Sequence, residues 1–131
     1  MKEKRIKLGV VGVDSGQLMI CDPCYIDDQW KREKDGDFSN PKENFSYVKC
    51  SNITLKKDME EENNGQLHFE KGHPGVGVVF SSGLGDGVYD VFATIKDVKG
   101  WGERITKVEI ILIEEESDKH KAITEHLLGK K

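Results

Sequence analysis

The 131-residue sequence holds no apolar run near the roughly 18–20 residues that cross a bilayer as a helix. Its most apolar early stretch, Val10 to Ile20, is broken by Gly12, Asp14, Ser15, Gly16 and Gln17. The basic start, Met-Lys-Glu-Lys-Arg-Ile-Lys-Leu, lacks the apolar core of a secretory leader. No membrane partner is expected. Cysteine is scarce and odd in number, at Cys21, Cys24 and Cys50, which excludes a secreted disulfide framework. Cytoplasmic placement with reduced thiols is the expectation. A dominant charge sign is missing too: 20 Lys and Arg stand against 24 Asp and Glu, a net charge of −4, interleaved along the chain. Without a basic half there is no phosphate-binding face, so no nucleic acid is expected as a partner.

What is present fits a small globular protein. Hydrophobic residues make up 36% and charged residues 34%, with a mean hydropathy of −0.59. A chain of this length buries roughly two thirds of its unfolded surface, enough for a core without staples. One domain over 1–131 is expected, with polar loops near 31–44 and 57–65.

The pattern predicts mainly strands. Arg5–Val13 alternates with a parity shift that places a bulge near Gly9 or Gly12. The turn residues Asp14-Ser15-Gly16 lead into Gln17–Cys21, and Arg5–Cys21 reads as a hairpin. Tyr25–Trp30 reads as a helical turn or an irregular return, and Phe45–Lys49 and Asn52–Lys56 as short strands. Leu67 and Phe69 share one strand face, and Val76, Val78 and Phe80 another, opposite Gly75 and Gly77. Val88–Ile95 is a further strand. Ile105–Ile113, apolar on both faces at its end, reads as central and doubly covered. Ser117 as N-cap and the Ile123/Leu127 pair predict a helix ending near Leu128. The sum is an α+β fold: mainly antiparallel sheet of about six to eight strands with one C-terminal helix.

Chemistry concentrates in two short segments. Cys21-Asp22-Pro23-Cys24 has the spacing of a redox dithiol, in which one thiolate attacks the mixed disulfide of the other. Proline at its third position resembles the thioredoxin turn, and His73-Pro74 resembles that family's proline segment. The long helix and the preceding tryptophan of that family are absent, however. The same pair could ligate a transition metal, Cys21 and Cys24 with Cys50 or His73, although no second close-spaced pair completes a tetrahedral set. The bland reading is a strand cysteine and a loop thiol. The second segment, Ser81–Tyr89, carries Gly83, Gly85 and Gly87, whose amides could cradle an anion. It lacks the lysine and following helix of a nucleotide loop, so a structural turn at Asp86-Gly87 competes. Asp14, Asp22 and Asp86 each fall at a turn. They either cap their own turns or converge, with Tyr25, Tyr89 and Cys24, on a divalent cation or an acid–base site.

Val13-Asp14-Ser15-Gly16-Gln17-Leu18, Asp22-Pro23-Cys24-Tyr25 and Gly85-Asp86-Gly87-Val88-Tyr89 resemble the recurring blocks of a family of small uncharacterised prokaryotic proteins, a domain of unknown function. The resemblance covers the two ends of the domain and leaves 31–65 unmatched. It implies no activity. It does imply that the weight lies on Asp22-Pro23-Cys24-Tyr25 as a block rather than on a cysteine pair. The leading expectation is therefore a small-ligand- or ion-binding or regulatory domain. Its site would lie where two hairpins meet, with Asp14, Ser15, Asp22, Cys24, Tyr25, Gly85, Asp86, Gly87 and Tyr89 as candidates. The alternatives are an enzyme, either a Cys21/Cys24 oxidoreductase or a carboxylate–metal hydrolase, and a structural or protein-interaction module.

Overall fold

The computed structural model describes residues 2–33, 36–55 and 63–115. Alternating side chains between glycine-bearing turns give strands β1 (Glu3–Val13), β2 (Gln17–Cys21), β3 (Asn64–His68), β4 (Pro74–Ser81), β5 (Gly87–Val98) and β6 (Gly102–Ile110). Two short helices, α1 (Cys24–Asp28) and α2 (Tyr47–Thr54), lie between β2 and β3. The strands form two antiparallel three-stranded sheets, ordered β1-β5-β6 and β2-β4-β3. Mostly antiparallel sheet with few helices makes this broadly an α+β protein. The helix expected over Ser117–Leu128 and the loop residues 57–62 lie outside the described residues. The chain divides into two compact units, Met1–Asp14 with Asp86–Lys131, and Ser15–Gly85.

Neither expected hairpin forms. β1 pairs with β5 and β2 with β4, while β1 does not pair with β2, nor β4 with β5. Residues 14–16 and 82–86 are corners at which a strand leaves one sheet and enters the next. Turn chemistry specifies that the chain bends, but the pairing partner is chosen by non-local packing. Gly16, Gly83 and Gly85 have φ of +68°, +74° and +96°, a left-handed backbone that a β-carbon disfavours.

In the Ser15–Gly85 unit, register places Met19 opposite Val79, and both Cys21 and Leu67 opposite Gly77, so these share the core face of the sheet. Gly77 is required by close approach, since a β-carbon there would sit 2.8 Å from the Ile20 carbonyl oxygen. The register shifts between Leu67 and His68, opposite residues 75–76, and there Val76 joins Val79 in the core. Val78, expected beside Val76, faces outward at 39% exposed. Of the segments Phe45–Lys49 and Asn52–Lys56, expected as strands, Tyr47–Lys49 and Asn52–Thr54 belong instead to α2, and Lys56 lies outside the described residues. Ser46 caps α2, its hydroxyl accepting from the Lys49 amide at 3.0 Å. The helix then turns Cys50 and Ile53 onto Phe45, Leu67, Val76 and Val79. The preceding loop is closed where Lys31 N–H donates to Phe45 O at 2.9 Å. The Glu33 carboxylate fastens it further, accepting from the Ser46 hydroxyl at 2.7 Å and from the Lys42 and Glu43 amides at 3.1 Å each. These bonds hold the Glu33 carboxyl below its ordinary range, the Ser46 hydroxyl most of all.

In the other unit β5 is central. β6, expected to be central and covered, is an edge strand whose first seven residues are exposed. Its apolar double-faced stretch lies beyond the strand, from Ile111 onward, where the ladder has ended. The bulge expected near Gly9 falls between Lys7 and Gly9, and β6 skips Thr106 in the same way opposite Thr94 and Ile95. One face carries the rows Ile6–Ala93–Val108 and Ile95–Ile105. The other carries Glu3–Lys96–Arg104, Arg5–Thr94–Lys107 and Lys7–Phe92–Glu109. Pairs Lys7–Asp90 at 3.1 Å, Lys96–Glu3 at 3.3 Å and Arg5–Glu109 at 3.5 Å link that second face.

Candidate functional site

The residues singled out from the sequence are divided between the units: Asp14, Asp86, Gly87 and Tyr89 in one, Ser15, Asp22, Cys24, Tyr25 and Gly85 in the other. The corners themselves touch. Ser82 is fully buried; its amide donates to Gly16 O at 3.0 Å and its hydroxyl to Gly85 O at 2.7 Å. Gly87 opens β5 opposite Val13, and Tyr89 is buried within the sheet opposite Val11. Asp14 and Asp86 are exposed.

Asp22 caps its own turn: its Oδ1 accepts the Cys24 amide at 3.0 Å, and its carbonyl accepts from Tyr25 N–H, which starts α1. The amide and then the thiol of Cys24 hold the Asp22 carboxyl below its usual range. The same contact works against thiol activation. The Cys24 thiol is raised by its bond to Asp22, and the Cys21 thiol by burial and by the Asp22 charge. Cys50, buried in the core, is pushed up to about 11, by burial first and then by Cys21. A nucleophilic dithiol needs the opposite direction, and α1, five residues long, supplies little helix dipole. Among the described residues, no three His, Cys, Asp or Glu side chains are grouped so as to hold a metal ion. Tyr25 packs edge-on against Phe69, ring centres 5.1 Å apart, and Phe69 stacks on His73 at 4.5 Å; these rings are structural partners.

Two recesses lie beside residues singled out from the sequence, one at Ser15 and one at Tyr89. One, of about 140 Å³ in the Ser15–Gly85 unit, lies between β2 and α2, walled by Leu18, Met19, Val79, Trp30 and Tyr47, with Ser15 and Gln17 at its polar side. Trp30 is set by an edge-on contact with Phe45, centres 4.9 Å apart. Behind Gln17 sits a polar network: its Nε2 donates to Ser51 Oγ at 3.3 Å, and Thr54 Oγ1 donates to its Oε1 at 2.8 Å. Ser51 and Thr54 are buried, so Gln17 holds the accessible end of this network. Sequence reading had placed Gln17 within a block but assigned it no role, and it missed Trp30 and Tyr47. Gln17 opening a strand straight after a glycine turn was the available signal.

The second recess, of about 220 Å³ in the other unit, is lined by Arg5, Val88, Tyr89, Asp90, Phe92 and Glu114 among others. The Arg5 guanidinium lies 3.7 Å from the Phe92 ring centre, and its charge is already met by Glu109. With Asp90 and Glu114 beside it, this recess has more acid than base and does not suit an anion.

No helix among the described residues is long and apolar enough to cross a membrane. Fold and site together define a mostly antiparallel α+β protein with strand-switching corners and a small mixed recess. The chain belongs to the family described as Protein of unknown function (DUF4241), whose model matches residues 2–100. Both corners and both helices fall inside the match, and β6 falls beyond it. No curated protein and no solved structure matches the chain.

Proposed function

We propose that this chain is a small-ligand-binding domain whose ligand enters the recess between β2 and α2. The observation that carries the reading is Gln17. Its amide is held by two buried hydroxyls at the polar side of a recess otherwise walled by Trp30, Tyr47 and aliphatic side chains. A few oriented polar groups in an apolar concavity is the arrangement that fixes a ligand's orientation. Gln17 retains one amide hydrogen and one Oε1 lone pair beyond these two bonds. The space limits the ligand. A cavity of roughly 150 Å³ holds a benzene-sized group, so this recess takes one ring or a short branched chain rather than a nucleotide. Of the residues singled out in the sequence, Ser15 and Cys50 line it.

Titrating isotope-labelled protein with benzamide and with phenol tests the reading. The expected result is saturable NMR shifts at the Gln17 side-chain amide and the Trp30 indole, lost in Gln17→Ala. Shifts scattered over the surface, or unchanged by Gln17→Ala, would falsify it.

The reading also takes the 131 residues as one cytoplasmic domain closed by the C-terminal helix expected from the sequence. Supporting the single domain, the unit holding β1-β5-β6 is assembled from two stretches separated by the other unit. Supporting the compartment, Cys21, Cys24 and Cys50 are free thiols.

A further inference from the structure

We infer that two copies of this chain associate through β6, edge to edge and antiparallel about a two-fold axis, joining their three-stranded sheets into one. The β1-β5-β6 sheet has two edges, β1 and β6. β1 carries Lys4, Arg5 and Lys7 within four residues, and pairing it with its own copy would bring these cations together. β6 differs. Its outer edge has no strand partner among the described residues, and on one face it exposes Ile105 at 55% and Val108 at 54%.

The backbone phase picks the register. Ile111 N–H donates to Asp90 O at 3.2 Å, so alternation turns the backbone groups of 109 and 107 inward to β5 and those of 110 and 108 outward. Thr106 is the residue skipped at the irregularity, and beyond it the outward set becomes Ile105 and Glu103. An antiparallel copy that sets Ile105 against Val108 of the second copy joins outward residues to outward residues. It does so again at Glu103 and Ile110. Because both strands carry the same irregularity, the spacing between the Ile105–Val108 pairs is equal on each side, and the bulges face one another across the axis.

Side chains in this register agree with the backbone. Ile105 and Val108 lie on the same face, since they oppose Ile95 and Ala93. Arg104 and Glu109, both on the other face, oppose each other with opposite charge, and two-fold symmetry repeats each pair. Sliding one copy by a single position instead places Glu103 against Glu109 or, in the other direction, Lys107 against Lys107, as like charges. The occupant that this edge fits is therefore a second copy of the chain. One strand pair buries less than a standard interface, so the association is weak and concentration-dependent.

The test uses the full chain in sedimentation velocity from low to high micromolar concentration. The expected mass rises from 14.8 kDa toward twice that value. Arg104→Glu, at an exposed position, should raise the dimer dissociation constant about tenfold by replacing two attractive pairs with two repulsive ones, at an unchanged circular dichroism spectrum. Register is read separately. Ile105→Cys mixed with Val108→Cys should give a disulfide-linked heterodimer on mild oxidation, mapped by peptide mass, far in excess of either variant alone. A strict monomer at every concentration, a dimer indifferent to Arg104→Glu, or equal crosslinking in the unmixed samples would each overturn the inference.

Discussion

In the Ser15–Gly85 unit, Phe45, Cys50, Ile53, Leu67, Val76 and Val79 are buried together, drawn from a helix, a loop end and two strands. In the β1-β5-β6 sheet the buried residues are few, chiefly Val13, Tyr89, Ala93 and Thr94, and charged pairs span the other face. Apolar burial is worth roughly 25 cal/mol per Å², whereas an exposed ion pair contributes about 0–1 kcal/mol. The first unit thus draws its stability from packing that tolerates little change. The second relies on a ladder whose individual side chains matter less. Each unit contains one tryptophan, Trp30 and Trp101, so fluorotryptophan resonances report on the two separately.

The comparison breaks most sharply at Leu67, which is fully buried. Leu67→Ala should cost about 2–5 kcal/mol in urea unfolding. If the chain is one domain, as proposed, the Trp30 and Trp101 resonances lose their folded positions at a common, lowered midpoint. A Trp101 midpoint left in place would show two independent folding units.

Glu33 gives a pH-dependent version of the same contrast. Its carboxyl is lowered in the folded state, so its contribution is fully present above the ordinary glutamate value of about 4.3 and fades as pH falls through the folded value. Glu33→Gln should remove that part of the acid sensitivity, loosen residues 36–46 in hydrogen exchange and leave the β1–β5 amides protected. An unaltered pH profile would mean that the carboxylate does not anchor the loop.

The smallest effect is expected at Lys7, half exposed and paired with Asp90. Lys7→Ala should change stability by less than about 0.5 kcal/mol and do so less as salt is raised. A loss several times larger would place the ion-pair ladder alongside the core as a source of stability.

Strand positions were legible because period-two alternation is local: residues 17–21, 66–70, 76–80 and 88–95 all map onto or within observed strands, apart from the ends. Partners were not legible. Asp14-Ser15-Gly16 and Asp86-Gly87 have hairpin chemistry, yet each serves a corner, because the choice between pairing back and passing on rests on contacts distant in sequence. α2 was missed for a different reason. Its apolar residues Val48, Cys50 and Ile53 are interleaved with Ser51, Asn52 and Thr54, poor helix formers that Ser46 and the core override. Asp22 was identified as a turn cap or a ligand, and its Oδ1 accepts the Cys24 amide. The recess was out of reach, since Gln17, Trp30 and Tyr47 are brought together only by packing.

The pairing of Val13 with Gly87 also has a consequence for synthesis. β1 is synthesised before its partner strand β5, which follows only after the whole of Ser15–Gly85 has been made. Until then β1 is an unsatisfied edge, and its Lys4, Arg5 and Lys7 keep it soluble while it waits. Ordering of the intervening unit shortens the loop that β1 and β5 must close, which lowers the entropy cost of their meeting. Connectivity therefore favours one order of folding, with the inserted unit before the sheet assembled from its two flanks.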